Sequence, residues 1–176
     1  MYGNHDTRFF VYWRANKKGC FNLLCEGFVP YKPSNYIPGH KLDPISQIDG
    51  KQSVLALQIS KDSQTGDWWL NAVTNGAEPI GHWPKSLFTS LADSASIFQW
   101  GGAVSFYPNQ KSPPMGSGRY PREGYGKAAY LRNVQLISDV GSISPTSAER
   151  FEDQTYCYQF DDDVEETLLL LVFFSI

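Results

Sequence analysis

The strongest signal for the fold class lies in residues 54–74, VLALQISKDSQTGDWWLNAVT. Two runs rich in β-branched, aliphatic and aromatic residues, Val54–Ser60 and Asp67–Thr74, flank the turn-forming segment Lys61–Gly66. Such runs on either side of a short polar loop predict two antiparallel strands joined as a hairpin. By the same criteria, further strands are predicted at Thr7–Arg14, Ala95–Tyr107 and Ala128–Ser138.

Helical signals are weak by comparison. Only Pro84–Ala92 resembles a helix, with proline at its first position and Leu87 and Leu91 four residues apart. Parallel strands need crossover segments of about a dozen residues or more. Because the predicted strands follow one another with little helix between them, we predict an all-β fold. Lys111–Gly126 is a long Pro- and Gly-rich loop. The expected architecture is an antiparallel β-sandwich with at most one short helix.

Composition limits the class of protein and its partners. A chain of 176 residues with 41% hydrophobic residues is large enough for one domain with its own core. The net charge is −3, and no stripe of Lys and Arg interleaves with aromatic residues, so we expect no nucleic-acid or membrane partner. The longest apolar run, Leu168–Phe174, is far shorter than the roughly 20 residues of a membrane-spanning helix. The first residues show no features of a secretory signal.

The three cysteines suggest one short-range pair. Cys20 and Cys25 bracket four residues, a spacing that allows either a disulfide or two buried thiols, and Cys157 is then unpaired. Zinc would need additional Cys or His ligands at short spacing. The three histidines are isolated in sequence: His5, His40 and His82. We favour the disulfide and predict neither a metal site nor a cofactor.

Four blocks of this sequence carry a family resemblance. The blocks are GCFNLLCEGFV (19–29), GDWWL (66–70), HWPKSLFTSLADSASIFQWGGAV (82–104) and MGSGRYPREGYGKAAYLRNVQ (115–135). In this order and spacing they resemble the C-terminal domain of neprosin-like plant proteins. The resemblance covers about residues 1–158, and we expect residues 159–176 to be a divergent tail. This tail is either a misannotated terminus or a replacement edge strand.

The resemblance implies the fold and activity of the neprosin family. The expected fold is similar to that of the glutamic peptidases, a β-sandwich with a groove, and here its first strands would lie before Met1. The implied activity is cleavage of proline-containing peptides at acidic pH without a metal or cofactor. Family members are secreted to the cell wall or vacuole, whereas this chain shows no signal peptide, so the sequence leaves its localisation open.

The family chemistry uses two glutamates. One carboxylate takes a proton from the attacking water, and the other, kept protonated, donates a proton to the carbonyl oxygen or leaving amine. The resemblance places one glutamate directly after a Gly-Gly pair, but this chain reads Trp100-Gly101-Gly102-Ala103. The other glutamate would lie upstream of Met1. We therefore expect no intact catalytic residue and a catalytically inactive family member. The alternatives are a non-catalytic peptide- or glycan-binding sandwich and a non-functional truncated product.

No other acid is an obvious replacement. In the predicted strand Ala95–Tyr107, period-two alternation places Gln99 on the same face as Ala103, so Gln99 is a candidate groove residue without acid function. Glu26 and Glu123 are more simply solvated loop residues.

Among the tryptophans, Trp69 is the candidate for ligand contact. It shares a strand face with Asp67 and Asn71, a polar setting that suits contact with a proline-containing peptide, although an ordinary half-exposed tryptophan would fit the pattern too. We expect the following tryptophans in the core: Trp68, Trp83 and Trp100.

Overall fold

The computed structural model describes residues 6–15, 17–74, 76–95, 97–104, 107, 109–138, 141–143, 149, 151–153 and 155–159. Eight short strands form three antiparallel sheets, with the orders β1-β2, β3-β6-β5-β4 and β7-β8. Their bounds are β1 Tyr12–Ala15, β2 Lys18–Phe21, β3 Val29–Pro30, β4 Leu57–Lys61, β5 Trp68–Ala72, β6 Glu78–Trp83, β7 Leu136–Ser138 and β8 Gly141–Ile143. Within the described ranges, helical residues are confined to three single 3-10 turns: Lys85–Leu87, Ser90–Ala92 and Pro121–Glu123. The predicted all-β class is confirmed.

The described residues divide into two compact units. The first contains the residues up to Ile45 together with Ser53–Gln99, and it holds β1 to β6. The second contains Ser46–Gln52 and the residues from Trp100 onward, including β7 and β8. Of the predicted tail at residues 159–176, all but Gln159 lies outside the described residues.

The predicted hairpin is the β4–β5 pair. Leu57 pairs with Ala72 and Lys61 with Trp68 in antiparallel register. The loop between them is held by Asp62, whose carboxylate accepts hydrogen bonds from the backbone N–H groups of Thr65 (2.6 Å) and Gln64 (2.9 Å). These bonds favour the ionised form, so they lower the pKa of Asp62 below its usual value, Thr65 contributing most. An aspartate that organises a turn in this way is a recurrent local device.

The core of the first unit combines both of its sheets. In β5, Leu70 and Ala72 are buried on one face, as the strand alternation requires. The same cluster contains Trp13 of β1, and also Ile80 of β6, which is fully buried. The remaining buried members are Phe9, Val11, Ala15, Cys20, Phe28, Trp83 and Phe88. Burial of large aliphatic and aromatic side chains supplies most of the stabilisation of such a unit.

Strand β6 is absent from the sequence prediction. The segment EPIGHW contains Pro79 and Gly81, both of which are depleted in strands. The structure accommodates them because the β5–β6 register shifts by a bulge between Leu70 and Asn71. Gly81 is needed because a Cβ there would lie 2.6 Å from the Phe28 ring and closer still to the Val29 carbonyl oxygen.

Four predicted elements differ from the structure. Of the predicted strand Thr7–Arg14 only Tyr12–Arg14 lies in β1, and of the predicted strand Ala128–Ser138 only Leu136–Ser138 forms a strand, β7. The described residues of 95–107 form no strand, and only Trp100 makes an isolated bridge; the glycine pair after it interrupts the β pattern, with Gly101 at φ 150°. The predicted helix at Pro84–Ala92 is instead two 3-10 turns separated by Phe88. Phe88 is extended and buried, so its contribution to the core interrupts the helix.

The second unit is built largely from loop structure. The predicted long loop Lys111–Gly126 is irregular except for the turn Pro121–Glu123. Its contacts include two hydrogen bonds to backbone carbonyls: the Asp49 N–H donates to the Gly126 carbonyl (2.9 Å), and the Tyr158 hydroxyl donates to the Pro113 carbonyl (2.8 Å). None of the described helices is long and apolar enough to cross a membrane.

Candidate functional site

The Trp100-Gly101-Gly102-Ala103 segment belongs to the second unit. Gly102 packs closely on the side chain of Met115, which would have to move to admit a side chain at that position. Ala103 follows in an irregular conformation and is exposed. A side chain at residue 103 therefore reaches solvent, but a methyl group can neither accept nor donate a proton.

Glu123 has a local structural role. It ends the turn Pro121–Glu123, where its carboxylate accepts a hydrogen bond from the Tyr120 backbone N–H (3.0 Å) and pairs with Arg119 (3.4 Å). This arrangement caps the turn and occupies both carboxylate oxygens. Glu26 is exposed immediately after Cys25.

The cysteine pair forms a disulfide. Cys20 in β2 is bonded to Cys25, with the two Cα atoms 6.2 Å apart, which confirms the predicted bridge. The loop that it closes contains Asn22, a buried residue whose side-chain oxygen accepts a hydrogen bond from the Val11 N–H (2.9 Å). Cys157 is free and exposed.

Trp69 lies on the face of the four-stranded sheet opposite the core, which we call the outer face. Its neighbours in β5, Trp68 and Leu70, point to the core side, where the Trp68 indole donates a hydrogen bond to the Leu91 carbonyl (2.8 Å). In register with Trp69 stand Ser60 on β4 and His82 on β6. The outer face therefore presents a row of aromatic and polar side chains across three strands.

His82 and Asp67 complete this cluster. The Trp69 and His82 rings stack with centroids 4.6 Å apart and planes inclined by 32°. The His82 Nε2 atom lies 3.9 Å from an Asp67 carboxylate oxygen, while the other oxygen accepts a hydrogen bond from the Lys85 backbone N–H (2.8 Å). His82 and Asp67 are each about one-fifth exposed, so the cluster is accessible at its edge.

Of the two other tryptophans expected in the core, one lies in the described core cluster and the other does not. Trp83 is buried and meets Phe28 edge-on at 4.9 Å, as predicted. Trp100 is half-buried and does not belong to the described core cluster, because the strand on which its burial was predicted is not formed. Gln99 is exposed in an irregular segment of the first unit.

A comparison with protein-family models decides the family. The model described as Neprosin matches residues 1–174 of the 176. The chain belongs to the neprosin family. The match runs into the segment that we expected to diverge, and the domain boundary at residue 158 stays a prediction.

Sequence reasoning missed one residue of the outer face in this neprosin-family chain. His82 was treated as isolated because the strand that carries it was not predicted. The signal that could have found it is the Trp83 to Trp68 register, which places His82 opposite Trp69 once β6 is paired with β5. Among the described residues, no group of three or more His, Cys, Asp or Glu side chains is arranged to hold a metal ion.

In the second unit, the pKa of Tyr130 is shifted from its usual value. The rings of Tyr125 and Tyr130 lie 5.1 Å apart between centroids. Burial, together with a hydrogen bond to Tyr125, raises the pKa of Tyr130 above its usual value. Tyr130 therefore stays neutral across the acidic and neutral range and offers no acid or base there.

Proposed function

We propose that this member of the neprosin family does not catalyse peptide cleavage. The observation that carries the proposal is Ala103, which follows Gly101-Gly102 where the family pattern has a glutamate. A general acid or base contributes roughly 10²–10⁴-fold to a rate, and residues that act as one unit fail together. Loss of this carboxylate alone therefore removes most of the rate acceleration.

The contacts of Glu123 support this proposal. Its carboxylate is committed to the Tyr120 N–H and to Arg119, so release for catalysis would cost a capping interaction. Helix caps of this kind are worth about 1 kcal/mol.

The test is a cleavage assay on the purified full chain. After a cooperative unfolding transition has been established, the chain is incubated with a proline-containing peptide at acidic pH, and products are detected by mass spectrometry. We expect no cleavage. Cleavage that is abolished in Glu123→Gln or Glu26→Gln would identify a relocated carboxylate and overturn the proposal.

A second function is favoured by the outer face. We propose that the chain retains a ligand-binding role, with Trp69 as its central contact. Aromatic side chains flanked by polar groups on a rigid sheet are typical of ligand-binding surfaces. The candidate ligands are a proline-containing peptide, which the family resemblance implies, and a glycan. Binding that survives without cleavage, and that weakens in Trp69→Ala, is the expected result.

A further inference from the structure

The two strands that flank Trp69 place different side chains beside its indole. His82 stacks on the indole from β6. β4 flanks β5 on the side opposite to β6. The residue in register there is Ser60, whose side chain is too small to cover an indole. We call the part of the outer face formed by Trp69 and Ser60 the ledge.

Uncommitted hydrogen-bonding groups surround this ledge. Gln58 on β4 is in register with Asn71 on β5, one step along the same face from Ser60 and Trp69. Within the described part of the chain, the side chains of Gln58, Ser60 and Asn71 form no hydrogen bond to protein atoms. All three are half-buried on regular strands, so their positions are well defined and they can donate to and accept from a ligand.

Each charged or ionisable side chain of the described strands β3 to β6 contacts another protein group. Lys61 donates to the Asp93 carbonyl at 2.6 Å, and Glu78 accepts from the Asn35 N–H at 2.8 Å. His82 faces Asp67. Lys61 and Glu78 are in register with Trp68 and Ala72, which lie on the core side. Within the described strands β3 to β6, His82 is then the one ionisable side chain on the outer face, and the neutral amide and hydroxyl groups beside Trp69 suit an uncharged ligand rich in hydroxyl groups.

We propose that the outer face binds a neutral polysaccharide, with one sugar ring stacked on the Trp69 indole beside Ser60. The C–H groups of the sugar ring contact the indole, while Gln58 and Asn71 exchange hydrogen bonds with its hydroxyls. His82, which lies close to the Asp67 carboxylate, stacks on the indole from β6. This inference rests on the binding role proposed above and names the ligand class and the site.

A proline-rich peptide fits the ledge less well. Proline-rich segments dock in grooves lined by aromatic side chains on both sides. Here His82 stacks on Trp69 from β6, and the residue in register on β4 is Ser60, which has no aromatic ring. A single stacking plane with neutral amide and hydroxyl groups beside it suits a pyranose ring.

The test is titration calorimetry of the full chain with a hexasaccharide of β-1,4-linked glucose. A proline decapeptide and an anionic hexasaccharide of galacturonic acid serve as comparison ligands. We expect saturable binding of the neutral sugar, and at least about tenfold weaker binding in Trp69→Ala because one aromatic stack is lost. Trp69→Tyr keeps an aromatic ring and should retain most of the affinity.

Two further variants separate loss of the ledge from loss of folding. Ser60→Leu keeps Trp69 in place but covers the ledge, so it should weaken binding as strongly as Trp69→Ala. Tyr107→Ala removes an exposed aromatic residue of the second unit and should leave binding unchanged. Circular dichroism of each variant must match that of the parent chain.

The possible outcomes are distinct. Absence of neutral-sugar binding by the folded chain, or binding that Trp69→Ala and Ser60→Leu leave intact, overturns the proposal. Binding of the proline peptide alone, lost in Trp69→Ala, also overturns it and assigns the face to peptides. Neither result bears on the loss of catalysis, which the cleavage assay decides separately.

Discussion

Gly81 provides a direct test of how tightly the first unit is packed. A Cβ at this position would lie 2.6 and 2.7 Å from two atoms of the Phe28 ring, and closer still to the Val29 carbonyl oxygen. The ring belongs to a buried residue, and the carbonyl belongs to β3, so neither can move without disturbing the core or the β3–β6 pairing. Gly81→Ala should therefore destabilise the protein strongly.

The expected size of the effect follows from these two contacts. Overpacking of a close-packed core costs about 1–3 kcal/mol. A backbone shift of β3 that breaks one hydrogen bond adds about 1 kcal/mol. Together they predict a loss of about 3 kcal/mol in the free energy of unfolding. For a chain of this length, at about 2–4 °C per kcal/mol, Tm should fall by about 6–12 °C.

The assay is thermal unfolding followed by far-UV circular dichroism, with Gly101→Ala as the matched control. Gly101 has a similar backbone torsion, with φ 150° against 159° for Gly81, but no atom lies within 4 Å of its Cβ position. Both variants share the strain of a side chain at this torsion, and only Gly81→Ala adds the crowding. A fall in Tm for Gly81→Ala no larger than that for Gly101→Ala would refute the packing argument.

Three more predictions concern the first unit. Phe28→Ala should lower the free energy of unfolding by about 3–5 kcal/mol, measured by urea denaturation, because it removes a buried ring that packs on Trp83. Cys25→Ser should cost about 2 kcal/mol, the loop entropy of a short bridge, and should abolish any effect of reductant on the urea midpoint. Because the folded-state pKa of Asp62 is depressed, its stabilisation is present above the unfolded-state pKa and is lost as pH falls through the folded-state pKa. Asp62→Ala should thus destabilise the chain at neutral pH, and its stability should converge with that of the parent as pH falls below the folded-state pKa of Asp62; a difference that does not change with pH would contradict this.

Local sequence signals were sufficient for part of the fold. The hairpin of β4 and β5 was predictable because residues 54–74 combine β-forming runs with a turn that Asp62 stabilises locally. Strand β6 was not, because Pro79 and Gly81 argue against a strand and are tolerated only through tertiary features. These features are a bulge in the register and the close approach of Phe28, which depends on residues far away in the chain.

The candidate site was predictable in part for the same reason. Strand alternation correctly places Trp69 with Asn71 away from the core, since both residues lie in one strand. The partner of Trp69 was not predictable, because His82 depends on the pairing of β6. The face argument for Gln99 and Ala103 was also local, but it assumed a strand at 95–107 that the described residues do not form.

Stability and the family chemistry depend on different residues in this chain, so the loss of catalysis proposed above requires no change in the fold. The core depends on Ile80, Trp83 and their neighbours, none of which takes part in proton transfer. Residue 103 is exposed, and exposed substitutions usually change stability by less than about 0.5 kcal/mol. An alanine at this position therefore costs the fold little, and it cannot supply the carboxylate that the family resemblance implies there. Membership of the neprosin family thus reports the conserved architecture of the domain, and catalysis must be judged from the side chains at the site.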